Sequence, residues 1–382
     1  MSHWEKRFFL RDNPFGVIPD PGVNVWADRA KLRTEVEALI DKMLMSSPSR
    51  LVACFWGDWG AGKTHTAHYF SRPELLKAHS SKVGVGEPIP LYMVMPLRDV
   101  IDSIYVGILD RIGLRRIRNA VEKAIGRRGL ESTEDDRIRR LERIVHNKAI
   151  ATAFSASESF LQSYLYETAT ARDLKEHRLA RGIRVMSDKL EVLSAALNIL
   201  SVAYSRIILW VDDCERLRDL SGRDLAEFQT FMRDLLDYVP RDLNIILLFT
   251  LPPGREVDDM LSYLGDALVS RMYQTIQVDV LSKEDLCEYV TDLLRQYRTS
   301  GADKKVDAYS PFKDKSTLEY IYDKMKQRDV MLKRRRRSLP LVPRQINNFI
   351  TGLLEKALMD EKVRLIDRQL VDRYVSEFKD AF

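Results

Sequence analysis

Residues 51–66 read LVACFWGDWGAGKTHT, an apolar run, then a glycine-rich turn, then a stretch able to coil. Gly57, Gly62, Lys63 and Thr64 satisfy the pattern G-x-x-x-x-G-K-[ST]. Glycine at those places lets backbone N–H groups come close to a chain of phosphates. Lys63 is spaced to reach the outer phosphates, and the Thr64 hydroxyl to bind magnesium. A strand ending at Trp56 and a helix starting near Lys63 would aim a positive helix end at the same point. The stretch Gly57, Asp58, Trp59, Gly60, Ala61, Gly62, Lys63, Thr64 and His65 is therefore read as a phosphate cradle. Trp56 and Trp59 flank it and read as core packing around a rigid turn.

A second stretch, RIILWVDDCERL (206–217), carries the partner chemistry. Its apolar strand delivers Asp212 and Asp213 at the C-terminal end, where ligands sit in open α/β sheets. Asp212 is placed to hold Mg²⁺ and Asp213 to orient an attacking water, with Glu215 able to substitute. The two aspartates also fit a helix N-cap. Thr250 ends the strand NIILLFT, beside the expected γ-phosphate. Arg271, in LVSRMYQTI, and Arg344, in VPRQINNFI, could neutralise a transferring phosphoryl group in cis or from a neighbouring subunit. Each arginine fits a surface salt bridge equally well.

Around these motifs the chain alternates short apolar runs with helical patterns, which predicts an α/β fold with a parallel sheet flanked by helices. Strands are expected at 51–56, 90–96, 206–211 and 244–250, with a more polar edge strand at 274–280. Helices are expected at 63–71, 223–238 and 256–270. About a hundred residues separate the second and third strands, far beyond the ~10–12 a crossover needs. Their helical periodicity predicts a helical insertion over about 103–200. From 282 to 382 the pattern is wholly helical, giving a core at 1–281 and an all-α lid at 282–382. Ser282 with Asp285 resembles a capping box, and Pro343 suits a first helical turn.

At 45% hydrophobic and 31% charged residues, the 382-residue chain can bury a sizeable core. Its three cysteines lie in apolar segments without metal spacing, which suggests a reducing compartment. The charged start and the lack of any ~18-residue apolar run read as a cytoplasmic protein without membrane contact. His65 and His68, three apart on one helix, have a metal-binding spacing but no nearby cysteine or carboxylate partners, and read as packing. The net charge of +5 is uneven. Residues 111–148 hold twelve basic and six acidic residues, and 323–344 hold nine basic and two acidic, including KRRRR at 333–337. Two basic islands, 111–148 and 324–337, on an acidic body fit a polyanion such as DNA, and fit solvated helix faces as well.

In this order the motifs resemble those of the AAA+ P-loop ATPases over roughly residues 13–360. The resemblance implies Walker A at Gly57–Thr64, Walker B at Ile207–Asp213, sensor 1 at Thr250, the arginine finger at Arg271 and sensor 2 at Arg344. Within the superfamily the chain is most similar to origin-recognition and initiator-type ATPases and to transposition-regulator ATPases. NPFG…VWADRAKL is similar to their N-terminal segment, which implies that Arg29 approaches the adenine side. ATP and Mg²⁺ are the implied ligands, a homo-oligomer the implied assembly, and slow hydrolysis the consequence of Asp-Asp where Asp-Glu is usual. Thr250 stands where asparagine is common. After the lid there is room for one helix where initiators carry a winged helix, so DNA contact would fall to the core, the insertion or a partner. The Asp-Asp ending is also similar to STAND and KAP signalling ATPases. Two readings follow: a DNA-associated assembly factor, or an ATP-driven switch, as in prokaryotic defence systems, that recruits a separate effector protein.

Overall fold

The computed structural model describes residues 2–16, 25–45, 50–126, 133–238, 243–251, 256–302, 305–333 and 340–377. Five parallel strands form the centre: β1 (Val52–Gly57), β2 (Ile89–Val94), β3 (Ile207–Asp212), β4 (Leu243–Thr250) and β5 (Met272–Gln277). Their order is β2-β3-β4-β1-β5. The three inner strands are the nearly continuous apolar runs, because each is covered on both faces. The polar fifth run lies at an edge, as expected. Alternation sends Cys54, Leu209, Val211, Ile245 and Leu247 to one face. Phe55, Ile208, Trp210, Ile246 and Leu248 go to the other.

The first face is covered by the insertion, a run of helices from Val100–Ile112 to Met186–Leu200, together with the helix Gly222–Tyr238. Ala30–Met45, Lys63–Phe70 and Pro73–Val83 cover the second face. The single helix expected over 256–270 is broken. Val257–Leu261 passes into a 3₁₀ turn, Ser262–Leu264, and a new start at Asp266. Gly265 at φ 76° makes the break, because a left-handed residue ends the i→i−4 ladder. The Gln229 side chain fixes it by donating to the Tyr263 carbonyl at 3.0 Å.

The C-terminal helices Lys283–Tyr297, Lys315–Lys333, Pro343–Met359 and Arg368–Glu377 share a separate apolar cluster. Phe8, Leu10, Phe15 and Val25 join that cluster rather than either face of the sheet. Arg11 N–H donates to the Tyr297 carbonyl at 2.8 Å and Thr299 N–H to that of Phe9 at 2.9 Å, tying the N-terminal stretch to the lid. Both halves of the capping box form at Ser282 and Asp285, and Pro343 opens its helix. Cys54, Cys214 and Cys287 are buried free thiols. No described helix is long and apolar enough to cross a membrane.

Candidate nucleotide site

The turn after β1 is built from residues that tolerate left-handed backbone. Gly60 has φ 83° and Gly62 φ 103°. Gly62 is the N-cap of Lys63–Phe70 and offers no side chain to it, which leaves the first N–H groups of that helix for another acceptor. A Cβ on Gly57 would stand 2.5 Å from the Val278 carbonyl oxygen, so glycine is required where β1 meets the chain leaving β5.

Lys63 is 5% exposed and donates from Nζ to the Gly57 and Asp58 carbonyls, both at 3.0 Å. Burial pulls its pKa down to about 8, against the opposing pull of Glu215, Asp212, Asp58 and Asp213. An ammonium held under a glycine turn by carbonyls alone calls for an anion. Beside it, Thr64 donates its hydroxyl to Asp212 Oδ2 at 2.6 Å. Asp212, 4% exposed, takes a second donor on that oxygen, the Tyr92 hydroxyl at 2.8 Å, and the Asp213 N–H on Oδ1 at 2.8 Å. A hydroxyl and a carboxylate meeting at the mouth of a phosphate turn form an all-oxygen donor set, the kind a hard divalent ion takes. Thr64 and Asp212 are thus the residues that would hold Mg²⁺, which would neutralise phosphate charge there.

The other expected residues divide into two groups. Lys63, Thr64, His65, Asp212, Asp213, Thr250, Arg29 and Arg344 all line one cavity of about 620 Å³ with the loop residues 59–62. Arg29, at φ 59°, donates to the Ala61 carbonyl and to that of Asp279, each at 2.5 Å, and so bridges the cradle and the chain leaving β5. Burial pulls its pKa below the ordinary value. His65 Nε2 lies 2.9 Å from the Val25 carbonyl, and burial likewise lowers its pKa. Arg344 lies over the Trp59 ring, its Cζ 4.1 Å from the centroid. Trp59 is 63% exposed, so it is not the core residue its apolar neighbours suggest; only Trp56 packs against the sheet cluster.

Glu215 and Arg271 fall outside the cavity wall. Glu215 accepts from the Thr250 N–H at 3.0 Å, holding the end of β4. Arg271 pairs with Asp237 at 2.5 Å and caps the Ala267 carbonyl at 2.9 Å. Asp213, at φ 54°, is ion-paired with Arg216 at 2.6 Å.

Further wall residues are given no role by the sequence alone, among them Asn13, Trp26, Tyr289, Leu293, Tyr297 and Asn347. Tyr289 donates to Asn347 at 2.9 Å, and Asn347 to the Gly16 carbonyl at 2.5 Å, so lid and N-terminal segment close the cavity together. Asn13 stands in the NPFG stretch, but nothing local marks Tyr289 or Asn347.

Several cations of the first basic island are engaged at helix C-termini. Arg116 donates to the Ile112 carbonyl at 3.1 Å, Arg118 to that of Ala156 at 2.8 Å and Arg140 to that of Ile125 at 2.7 Å. Arg111 donates to the Tyr92 and Gly107 carbonyls. These are favourable places for cations at the negative helix end. Arg115, Lys123, Arg139, Arg143 and Lys148 are exposed. In the second island Lys324 pairs with Asp372 at 2.8 Å. Arg127, Arg128 and Arg334–Arg337 lie outside the described residues.

No protein-family model matches the sequence and no curated protein is matched by it. Solved structures do match. The Aeropyrum pernix ORC2 protein in its ADPNP–ADP complexes is 14% identical, with a TM-score of 0.53 over 95% of this chain and 71% of that one. Its ADP form gives 0.51 at 14% identity, over 94% and 71%. A parallel sheet in the order β2-β3-β4-β1-β5, with a glycine-rich turn after β1 and the helices Lys283–Tyr297 and Pro343–Met359 over it, gives this chain the α/β P-loop (AAA+) fold that the ORC2 structures share.

Proposed function

We propose that the chain is an ATPase that binds ATP with Mg²⁺ in the cavity between sheet and lid, hydrolyses it slowly, and assembles as an oligomer on DNA. The observation that carries the nucleotide part is the meeting of Lys63, Thr64 and Asp212 at one cavity wall. The similar ORC2 structures were solved with ADP and ADPNP, which agrees with a nucleotide in this place. Lys63 and the loop amides hold the phosphates, Thr64 and Asp212 hold the metal, and Arg344 faces the phosphates from the lid. Asp213 orients the attacking water, and its pairing with Arg216 restrains it, which is the physical basis for slow turnover. Thr250 and Glu215 fix the β4 end of the same wall.

In this reading Arg271, lying away from its own chain's cavity, completes the site of a neighbour, with Asp237 holding it until then. The DNA part rests on charge: the exposed cations Arg115, Lys123, Arg139, Arg143 and Lys148 on the insertion, and the run at 333–337. Phosphate contacts of that kind give affinity that falls with salt and carry little sequence information. A second reading, a nucleotide switch that recruits a protein effector, is favoured by the arginines engaged in capping and by the Asp213–Arg216 pair.

The test is ATPase rate and particle mass with and without double-stranded DNA, at low and moderate salt. Stimulated turnover and ATP-dependent growth in mass are expected. ATP binding with no response to DNA supports the switch and removes the DNA assignment.

A further inference from the structure

Trp59 stands at the tip of the phosphate loop with most of its indole in solvent, an unusual place for the largest apolar side chain. Among the described residues its ring contact is with Arg344, whose guanidinium carbon lies 4.1 Å from the ring centroid. Arg344 sits in the first turn of Pro343–Met359, where the positive end of the helix disfavours a cation. Lys63 and the N-terminus of Lys63–Phe70 add further positive charge around the same cavity. Among the described residues no carboxylate pairs with Arg344. The negative face of the indole therefore supplies what an acidic partner would otherwise supply, without neutralising the charge.

The backbones hold the pair in register. Arg344 N–H points to the Gly60 carbonyl at 3.4 Å, and a Cβ on Gly60 would lie 2.7 Å from that of Arg344. A free arginine side chain loses much rotamer freedom when it engages a ligand. A guanidinium already held over a ring face loses less, which is affinity gained by preorganisation.

Resting on the reading of this cavity as a nucleoside triphosphate site, we propose that Trp59 is a positioning residue that sets triphosphate-over-diphosphate preference. It holds Arg344 across the phosphate loop, ready for the extra negative charge of a third phosphate. A diphosphate is held by the loop amides and Lys63; the additional cation rewards the additional charge. Carboxylate pairing would hide the guanidinium, whereas stacking leaves its N–H edge free to donate.

The experiment measures affinity for ADP and for a non-hydrolysable ATP analogue, each with Mg²⁺, in the full chain and in W59A, W59F, R344A and R344K. The ATP-analogue-to-ADP affinity ratio is expected to fall about threefold to tenfold in W59A. It should recover in W59F, which keeps a ring, and fall at least as far in R344A. R344K keeps the charge without the planar guanidinium and should lie between. A ratio unchanged or raised in W59A overturns the proposal, as does a W59F as impaired as W59A. A well-folded wild-type chain that binds neither nucleotide refutes the site reading itself, and the inference with it. If W59A fails to fold, the W59F and R344K ratios decide.

Discussion

The Thr64 hydroxyl donates to Asp212 across 2.6 Å, joining the first helical turn after the phosphate loop to the end of β3. Two motifs nearly 150 residues apart thus meet in one oxygen pair. If this pair holds Mg²⁺ as proposed, removing the carboxylate charge should weaken the metal's binding. D212N is expected to lower nucleotide affinity at least tenfold in Mg²⁺ and hardly at all in EDTA, because one lost charge-assisted contact is worth about 1.5–3 kcal/mol. Calorimetric titration in both conditions checks it. Equal losses with and without metal would contradict the assignment.

Lys63 gives a pH dependence whose sign can be worked out. Its pKa in the folded chain lies at about 8, below the ordinary lysine value. The fold therefore disfavours its charged form, and the fold's own stability from this group rises with pH between about 8 and 10.5. If phosphate binding requires the charge, ATP affinity should decline as pH rises through 8, with about half a proton taken up per ATP bound at pH 8 and nearly one at pH 9. Titrations in buffers of different ionisation enthalpy report that uptake. No uptake in wild type, or equal uptake in Lys63→Met, would contradict the role.

Arg216 holds Asp213 at 2.6 Å while also donating to the Met95 carbonyl at 3.1 Å. If that pair restrains the water-orienting carboxylate, Arg216→Ala raises kcat about threefold or more and leaves nucleotide Kd unchanged. Asp213→Asn lowers kcat by about 100-fold, within the usual range for lost general-base help. Single-turnover hydrolysis distinguishes chemistry from release. A slower Arg216→Ala enzyme would count against the restraint.

Gly60 combines φ 83° with a Cβ position already filled by the lid. Gly60→Ala should reduce stability by about 1–3 kcal/mol, and the loss should be visible in Tm even without nucleotide. An unchanged Tm would mean that the loop relaxes without strain.

Ser282→Ala removes one half of the capping box that opens the lid. It is expected to cost about 1 kcal/mol, measured as a lower urea midpoint with unchanged slope.

What could be read from residues alone was mostly local. The phosphate turn, the strand ending in Asp212 and the five strands are each written within ten residues, and strands buried on both faces announce themselves by continuous apolar runs. Tyr92 escaped because its role depends on which strand lies beside β2. Only the pairing of Tyr92 with Trp210 in register brings its hydroxyl to Asp212. Trp59 was misjudged for a related reason: an aromatic flanking an apolar strand reads as core until the lid arginine over it is seen. Gly265 was a legible break that helical periodicity on either side concealed. The capping arginines of the insertion show why charge counts overstate a free surface, since composition records a cation but not its acceptor.

The cavity wall draws on Asn13 and Arg29, on the loop near 60, and on Tyr289 and Asn347. The lid cluster that supports it includes Phe8 and Phe15 at one end of the chain and Tyr374 at the other. Such a site cannot be assembled in stages during synthesis. Until the helices Lys283–Tyr297 and Pro343–Met359 have been made, the loop after β1 lacks a roof, and Phe8, Leu10 and Phe15 lack their partners from the lid. A ligand of this cavity therefore favours chains in which both lid helices have closed over the loop. On the proposed reading, the first capture of ATP would mark closure of the lid, and products truncated before the helix Pro343–Met359 would be left without that stabilisation.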